Sequence, residues 1–437
     1  MHLSRLFACL PLLLVACDGS TPGTEVDAAA PMEDAGTPPP GLREGGPVTY
    51  APVYDAVTRN IGGDAREWIP TDLSVHPDGA LWVVQRLERD PAFDDDSECT
   101  GRHLATGGGD CLSLEGSTVA ISDPAAAELA SSDNGRAALV IDGNAWHFMR
   151  RPSGIAFGAA ELSYGPDDPG ASEAGVTDTM TFEDTFATCH EHWTGNPTDA
   201  NAFIGPSLWS ADPSIYGQRG EFSWSNGSHL DMVHATQYCM GIAHERDNVY
   251  WTFNGAEGVL DRYDFGAPHY PGHSDHDDGE VTRFDLGAEG RLARLEGVPS
   301  NMVVVGQDLF LSDTGNGRVM RVDMDSPTTL FGNFMTFEML EGEYYDGIGF
   351  EVILDRAALE AEWGGASEPS GLAVLDDGAL VIASHATGHI TVADPDGTIV
   401  RTLDTGTGAG LGGLTVRDGV VYFVQMTERR VYRIDVE

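Results

Sequence analysis

The chain has 437 residues, of which 41% are hydrophobic, so it is long enough to bury a large core. Its formal net charge is -45, and all 24 basic residues are arginine because the sequence contains no lysine. This charge excludes electrostatic binding to nucleic acid and to an anionic membrane surface, and the absence of lysine excludes Schiff-base chemistry.

The first residues predict an export signal. Arg5 is followed by an apolar run from Leu6 to Ala16 and then by Cys17, and this run is too short to span a bilayer. Residues 14–17 have the sequence Leu-Val-Ala-Cys, which resembles the lipobox of bacterial lipoproteins. The resemblance implies cleavage before Cys17, lipidation of Cys17, and a lipid-anchored protein of the cell envelope, on its periplasmic or surface side.

The segment 18–47 is rich in alanine, proline, glycine, threonine and acidic residues. It has almost no large apolar residue, so it cannot bury enough surface to fold, and we expect a disordered linker. The predicted organisation is a signal peptide at 1–16, the lipidated cysteine with its linker at 17–47, and one folded domain at 48–437.

A repeated pattern organises this folded domain. Between Pro299 and Asp323, three short apolar runs are separated by glycine and asparagine turns, which predicts consecutive antiparallel strands. The unit recurs at 369–394, and looser copies begin near Pro70, Pro152, Met240 and Gly412. One such unit cannot bury its own apolar face, so the recurrence predicts a repeat architecture.

These six copies resemble the NHL-repeat β-propellers over most of residues 66–437. The resemblance implies an all-β, six-bladed propeller. The last copy has only three strands, so we expect an N-terminal strand that includes Val48 and Tyr50 to close the ring. Long loop insertions are expected in blades 1 to 3, and the blade 2 insertion should include Cys189 and His192 and end at a strand near Leu208. A helix capped by Asp355 is expected at 354–363.

Four cysteines remain when Cys9, in the signal, and Cys17 are set aside. An even number in an exported protein favours disulfides, and we pair Cys99 with Cys111 and Cys189 with Cys239. The alternative, thiolate ligands of a metal, lacks any pair with C-x-x-C spacing.

Histidine is concentrated between residues 190 and 276, which hold eight of the 14 histidines. Imidazoles and carboxylates are the usual ligands of Zn²⁺, whereas oxygen-rich acidic loops suit Ca²⁺. We therefore predict a divalent metal site, Zn²⁺ or Ca²⁺, in the loops of blades 2 and 3. Its candidate ligands are His190, His192, His229, Asp231, His234, His244, His273, Asp275 and His276. The alternative is that these histidines are solvated or hydrogen-bonded in polar loops.

Two enzyme families on similar propellers allow a comparison. Lactonase-like propellers of the regucalcin type hold an axial metal with one Glu, two Asn and one Asp. The repeat starts of this chain offer Asp72 and Asn301, but Ser153, Met240, Ser370 and Gly412 stand at the other four positions. The peptide-amidating lyase holds Zn²⁺ with three histidines from different blades. The corresponding candidates here, His76, His244 and His385, occupy positions that are not equivalent.

The sequence thus predicts a monomeric, lipid-anchored, extracytoplasmic propeller that binds a protein or a small-molecule ligand, with the metal stabilising its long loops. The alternative is a metal-dependent lyase or hydrolase, with Glu191 or Asp231 as the base. A third possibility is an interaction platform without a metal. An open coordination position facing the central channel would favour the enzyme, and a closed shell at the rim would favour a structural metal.

Overall fold

The computed structural model of the chain describes residues 42–43, 46–56, 68–87, 116–158, 161–168, 171–195, 203–217 and 227–436. The predicted signal peptide, the lipidation site Cys17, most of the predicted linker, and the predicted pair Cys99 and Cys111 lie outside these residues. None of the helices in the described ranges has the length and the apolar composition that a membrane span requires.

The first three blades follow the first strand, β1 (Val48–Asp55). Blade 1 contains β2 (Trp68–Val75), β3 (Leu81–Leu87), β4 (Gly116–Ile121) and β5 (Ala137–Val140). Blade 2 contains β6 (Pro152–Phe157), β9 (Thr185–His190), β10 (Ser207–Ser210) and β11 (Asp231–Met232), and a separate hairpin is formed by β7 (Glu161–Tyr164) and β8 (Met180–Glu183). Blade 3 contains β12 (Cys239–Arg246), β13 (Val249–Asn254), β14 (Val259–Asp264) and β15 (Glu280–Asp285).

The last three blades complete the ring. Blade 4 contains β16 (Met302–Val305), β17 (Asp308–Asp313), β18 (Arg318–Asp323) and β21 (Gly349–Leu354), with an inserted hairpin of β19 (Thr329–Met335) and β20 (Glu341–Asp346). Blade 5 contains β22 (Pro369–Val374), β23 (Leu380–Ser384), β24 (His389–Ala393) and β25 (Ile399–Asp404). Blade 6 contains β26 (Leu411–Arg417), β27 (Val420–Gln425), β28 (Arg430–Val436) and β1.

Four helices have both ends within the described residues, and all four are short. They are α1 (Ala145–Phe148), α2 (Ala171–Ala174), α3 (Gly287–Gly290) and α4 (Arg356–Trp363). Helix α4 begins after Asp355, whose carboxylate accepts a hydrogen bond from the backbone N–H of Ala358 at 2.8 Å. It ends at Gly364, which adopts the left-handed conformation that closes helices. The predicted helix and its cap are therefore confirmed.

The inner strands of the six blades contact one another in a closed ring, in the order β2, β6, β12, β16, β22 and β26. Strand β1 pairs antiparallel with β28, so that Val48 lies opposite Val436 and Asp55 lies opposite Arg430. Both the six-bladed, all-β fold and its closure by an N-terminal strand are confirmed.

Polar side chains fill the centre of this ring. The side-chain amide of Asn301, in blade 4, donates to Asp72 of blade 1 across the axis at 2.9 Å. The other carboxylate oxygen of Asp72 accepts from the N–H of Ile155, and the Asn301 oxygen accepts from Leu372 and Leu414. The two axial residues that the lactonase comparison singled out therefore bind each other and the inner strands of three further blades, which are blades 2, 5 and 6.

The structure corrects the predicted strand assignment in blade 2. Cys189 and His190 lie in β9, which is the second strand of the blade, and Trp209 lies in the third strand. Every residue of β9 is buried. A strand buried on both faces lacks the alternation of apolar and polar residues that marks a strand in a sequence, which explains why this segment was predicted as part of the insertion.

The hairpin of β19 and β20 belongs to blade 4 in sequence but extends blade 3. Strand β20 pairs in parallel with β15, and blade 3 becomes a six-stranded sheet with β19 at its edge. An insertion between blades 4 and 5 was expected, but the sequence did not indicate that it contains a hairpin that joins blade 3. The hairpin carries five of the nine exposed large hydrophobic side chains found in the described residues, which are Leu330, Phe331, Met335, Phe337 and Met339.

Candidate metal centre

Three histidines from two neighbouring blades meet at the rim of the propeller. His229, His269 and His276 each offer one ligand atom, and these atoms all lie within 4.8 Å of one another. His229 comes just before β11, the outermost strand of blade 2, whereas the other two belong to the 265–279 loop between β14 and β15 of blade 3. We call these three residues the rim group.

Backbone hydrogen bonds bring the two segments together. The N–H of His269 donates to the carbonyl of Leu230, and the N–H of Gly272 donates to the carbonyl of His229, both at 2.9 Å. The ring of Phe148, at the end of α1, stacks on the imidazole of His229 with a centroid distance of 3.8 Å. These contacts fix the positions of His229 and His269.

Two of the three imidazoles are oriented through their Nδ1 atoms. Nδ1 of His276 lies 2.9 Å from Oδ1 of Asp231, and Nδ1 of His269 lies 2.7 Å from the carbonyl oxygen of Tyr270. A carbonyl or carboxylate oxygen can only accept, so each Nδ1 carries the proton and each Nε2 is the basic atom. Metal-binding histidines are commonly held in this way by an acceptor behind the ring.

The side chains of the rim group and Asp231 are almost completely buried. His229, Asp231 and His269 are at most 1% exposed, and His276 is 9% exposed. Nε2 of His269 and Oδ2 of Asp231 are buried without a hydrogen-bond partner among the described residues. A buried polar atom that lacks a partner costs about 1–3 kcal/mol, and a cation bound by both atoms would remove this penalty.

Burial sets the protonation of these groups. It lowers the pKa of the His269 imidazole well below its usual range, with a further contribution from His276. Burial also raises the pKa of Asp231 to about 6, against the hydrogen bond from His276. Burial acts to lower the pKa of His276 as well, but the Asp231 carboxylate outweighs it and raises that pKa.

The donor set of the rim group fits a transition-metal ion. Three imidazole nitrogens with one carboxylate nearby match the four-coordinate sites that proteins build for Zn²⁺. They do not match the six to eight oxygen ligands of Ca²⁺. In such a centre the rim group would supply three ligands, and Asp231 would orient His276 or bind the ion through its second oxygen.

Other predicted ligands lie beside the rim group. His273 lies near His269, with a ring-centroid distance of 6.1 Å. The Asp275 carboxylate accepts from the N–H of Asp277 at 3.4 Å and helps to raise the pKa of His276. His190 and His234 form part of a second group of histidines, described below.

The remaining predicted residues have other contacts. His192 contacts the backbone of Thr194, and Nε2 of His244 lies 2.9 Å from the carbonyl of Asp247. Glu191, one of the two candidate bases, is fully buried and forms ion pairs with Arg86, Arg151 and Arg294. The other candidate base, Asp231, is the one in contact with the rim group.

His76, His244 and His385, the histidines suggested by the amidating-lyase comparison, do not form a metal-binding group within the described part of the chain. His76 is paired with Asp78, and Nδ1 of His385 lies 2.9 Å from the carbonyl oxygen of Leu411. Each of these three histidines therefore has its own contacts, which lie within one blade or between two neighbouring blades.

The predicted disulfide between Cys189 and Cys239 is confirmed. It links the second strand of blade 2 to the first residue of blade 3, with a Cα–Cα distance of 5.5 Å. Both cysteines are fully buried. The bridge therefore fixes the same pair of blades that the rim group joins.

Sequence reasoning missed three residues around this site. His269 lies within the histidine-rich segment but was not chosen as a ligand, because nothing in its spacing sets it apart. His147 lies in α1, before blade 2, and Glu338 lies in the loop of the blade 4 hairpin. Glu338 contacts His234 across 104 positions of sequence, and no short motif could have indicated that contact.

Comparison with known proteins adds a likeness of fold. No family model matches the chain, and no curated protein matches it. Among solved structures, an auxiliary nutrient binding protein from Bacteroides thetaiotaomicron is 9% identical with a TM-score of 0.47, and its counterpart from Bacteroides ovatus is 9% identical with a TM-score of 0.45. In both cases the match covers 90% of this chain and 77% of the other.

A catalytically inactive virginiamycin B lyase from Staphylococcus aureus, solved with quinupristin, is 10% identical with a TM-score of 0.37, and the match covers 89% of this chain and 88% of the lyase. All three TM-scores are below 0.5, so these structures carry no argument about what this chain binds or does. The six-bladed arrangement rests on the strand pairing described above, and the resemblance to NHL repeats stays a prediction.

Proposed function

We propose that this chain is an extracytoplasmic binding propeller whose rim is stabilised by one Zn²⁺ ion at His229, His269 and His276. The observation that carries the proposal is the convergence of three buried imidazoles, two of which already have an acceptor behind the ring. The site lies at the outermost strand of blade 2. A buried site at the rim favours a metal that holds loops together over one that reacts with substrate in the channel.

The test is the metal content of the full chain, purified without a histidine tag. At least one equivalent of a transition metal is expected in the wild type, and a His269→Ala/His276→Ala variant should lose the equivalent that is bound at the rim group. His389→Ala, which changes a half-buried histidine of blade 5, is the matched control and should retain the metal. A wild-type protein without metal, whose melting temperature is unchanged by added Zn²⁺, would sink the proposal.

The hairpin of β19 and β20 is the surface that supports partner binding. Phe331 is 74% exposed and Met339 is 72% exposed, and β19 is a sheet edge with backbone groups available for pairing. The net charge of -45 and the nearby Glu341 and Glu343 disfavour an anionic membrane. We therefore propose a protein partner that adds a cationic, partly apolar β-strand.

A synthetic peptide of alternating valine and arginine can test this docking mode by fluorescence anisotropy. It should bind the wild-type protein more tightly than a Phe331→Ser/Met339→Ser variant, whereas Val400→Ser, which changes an exposed side chain of blade 5, should behave like the wild type. Binding that is equal for all three proteins would indicate non-specific attraction to the negative charge and would remove the hairpin from the proposal. Concentration-dependent dimerisation through β19 would show that a second copy is the partner instead.

The second candidate function is a metal-dependent hydrolase or lyase. It is favoured by Asp231, whose second carboxylate oxygen has no partner among the described residues and whose pKa is raised by burial to about 6, as suits a general base. A Co²⁺-substituted protein separates the candidates. A visible spectrum that changes with azide would indicate an open coordination position, and a spectrum insensitive to azide would indicate the closed, structural centre.

Attachment to the cell envelope through a lipid on Cys17 is also part of the proposal. It rests on the Leu-Val-Ala-Cys sequence at 14–17. Intact-mass analysis of the membrane-extracted protein tests it, since a Cys17→Ser variant should lose the lipid mass and stay unprocessed.

A further inference from the structure

A second group of histidines lies next to the rim group. It consists of His147 in α1, His190 at the end of β9, and His234 just after β11. The rings of His147 and His234 are 5.6 Å apart, centre to centre. All three side chains are buried, being at most 5% exposed. We call these residues the inner group.

The inner group repeats the pattern of orientation seen in the rim group. Nδ1 of His147 lies 2.9 Å from the carbonyl oxygen of Gly195, which can only accept a hydrogen bond. Nδ1 of His234 contacts the Glu338 carboxylate, which also accepts from the backbone N–H of His234 at 3.2 Å. Each group therefore has one imidazole held by a carbonyl, one held by a carboxylate, and a third that comes from blade 2. This is the arrangement that orients metal ligands.

Two nitrogens of the inner group have no hydrogen-bond partner among the described residues. They are Nδ1 of His190 and Nε2 of His234, and both are buried. Each such atom costs about 1–3 kcal/mol when nothing binds it. The other nitrogen of His190 is 3.4 Å from the Ser207 hydroxyl, a long contact that leaves the ring able to turn.

Electrostatics link the two groups. Burial lowers the pKa of both His147 and His190 to about 3, and His234 contributes to each shift. His276 of the rim group acts on His234 in the same way. Contacts also place His190 beside this group, because the Ser207 hydroxyl that lies 3.4 Å from its Nε2 donates to the carbonyl of Phe148, the neighbour of His147.

We propose that the inner group is a second metal position, with His147, His190 and His234 as ligands, so that the rim of this propeller holds two transition-metal ions. The proposal deepens the proposed function, because it concerns the same loops of blades 2 and 3. Glu338 would be the positioning residue that orients His234. Since Glu338 belongs to the hairpin of β19 and β20, metal at the inner group would also tie that hairpin to blade 2.

The second position should bind metal more weakly than the first. Among the described residues, only the rim group brings three ligand atoms within 4.8 Å, so the inner group must turn at least one ring to close on an ion. His190 is the ring with the longest side-chain hydrogen bond of the three, at 3.4 Å. The expected result is two binding steps of different affinity.

The experiment is a titration of the metal-free full chain with Zn²⁺ against a coloured chelator. The wild type and the His389→Ala control should take up two equivalents, one of them more weakly. His190→Ala should keep only the tighter equivalent, and His269→Ala/His276→Ala should keep only the weaker one. Glu338→Gln retains all six imidazoles, so it addresses the case in which an alanine variant fails to fold, and it should weaken the second step about 10-fold to 100-fold while leaving the first unchanged.

The outcomes separate this inference from the proposed function. A wild type that binds one equivalent, retained in His190→Ala and lost in His269→Ala/His276→Ala, would overturn the second position and leave the first. A wild type that binds none would overturn both. Two steps that Glu338→Gln leaves unchanged would refute the role assigned to Glu338 and to the inner group.

Discussion

Removal of the disulfide between Cys189 and Cys239 is expected to destabilise the propeller. The bridge closes a loop with a sequence separation of 50 residues and joins blade 2 to blade 3. The closed loop also contains His229 and Asp231 of the candidate metal centre. The same change should therefore weaken metal binding.

The size of the effect follows from the length of the loop. A bridge that closes a loop of about 50 residues restricts the unfolded chain by about 4 kcal/mol at 25 °C in the chain-entropy treatment. The entropy of unfolding is about 2 cal/mol/K per residue, so for a folded region of roughly 390 residues this energy corresponds to a fall in melting temperature of about 5 °C.

Calorimetry of Cys189→Ala, Cys239→Ala and the double variant, with chelator present to remove any contribution from metal, measures this fall. Either single substitution opens the loop, so all three variants should melt about 5 °C below the wild type. Melting within about 1 °C of the wild type in all three would refute the loop-closure argument. A double variant that is far less stable than either single variant would show instead that packing of the two side chains dominates.

Two other changes test side chains outside the metal centre. Glu191→Gln should lower the free energy of unfolding in urea by about 3–5 kcal/mol, because it replaces the fully buried carboxylate that pairs with Arg86, whose side chain is only 11% exposed, by a neutral amide, and metal content should not change. Lost metal at unchanged stability would contradict this structural role. Asp72→Asn tests the role of the buried carboxylate at the propeller axis. Burial raises the folded-state pKa of Asp72 from 3.8 to about 6, so the folded protein binds this proton more tightly than the unfolded chain does. The resulting stabilisation is present below pH 4 and is lost as the pH rises to 6. The variant should therefore gain about 3 kcal/mol relative to the wild type between pH 4 and pH 7. A difference in melting temperature that stays constant with pH would refute this.

The fold could be predicted because its signals are local and repeated. The start of each sequence repeat lies at or within a few residues of an inner strand, from β2 at Trp68–Val75 to β26 at Leu411–Arg417. The last copy of the repeat has only three strands, so the fourth strand of its blade had to come from another part of the chain. The hairpin of β19 and β20 could not be predicted in the same way, because its parallel pairing with β15 joins segments of two different blades and depends on no local pattern.

The candidate site was predicted as a region and not as a set of ligands. Counting histidines located the two blades that form the rim group, since this group lies within the histidine-rich segment. Spacing along the chain could not separate His269, which joins the group, from His244, whose imidazole contacts the carbonyl of Asp247. His269 is placed in the group by the backbone hydrogen bond from its N–H to the carbonyl of Leu230. This hydrogen bond forms only when the two blades are assembled.

The length of the outermost strands explains why a metal would be useful at this point of the ring. Strand β11 of blade 2 has two residues and pairs with β10 through only two positions, whereas β25 of blade 5 has six and β1 of blade 6 has eight. A short outer strand gains little stability from its own ladder, so its contacts with the 265–279 loop must hold it. Chelation should therefore accelerate amide hydrogen exchange in 229–232 and 268–279, while β25 serves as an internal control with unchanged protection. Faster exchange spread evenly over all blades would show that the metal acts on global stability, and unchanged exchange at the rim would mean that the backbone bonds and the disulfide are sufficient without it.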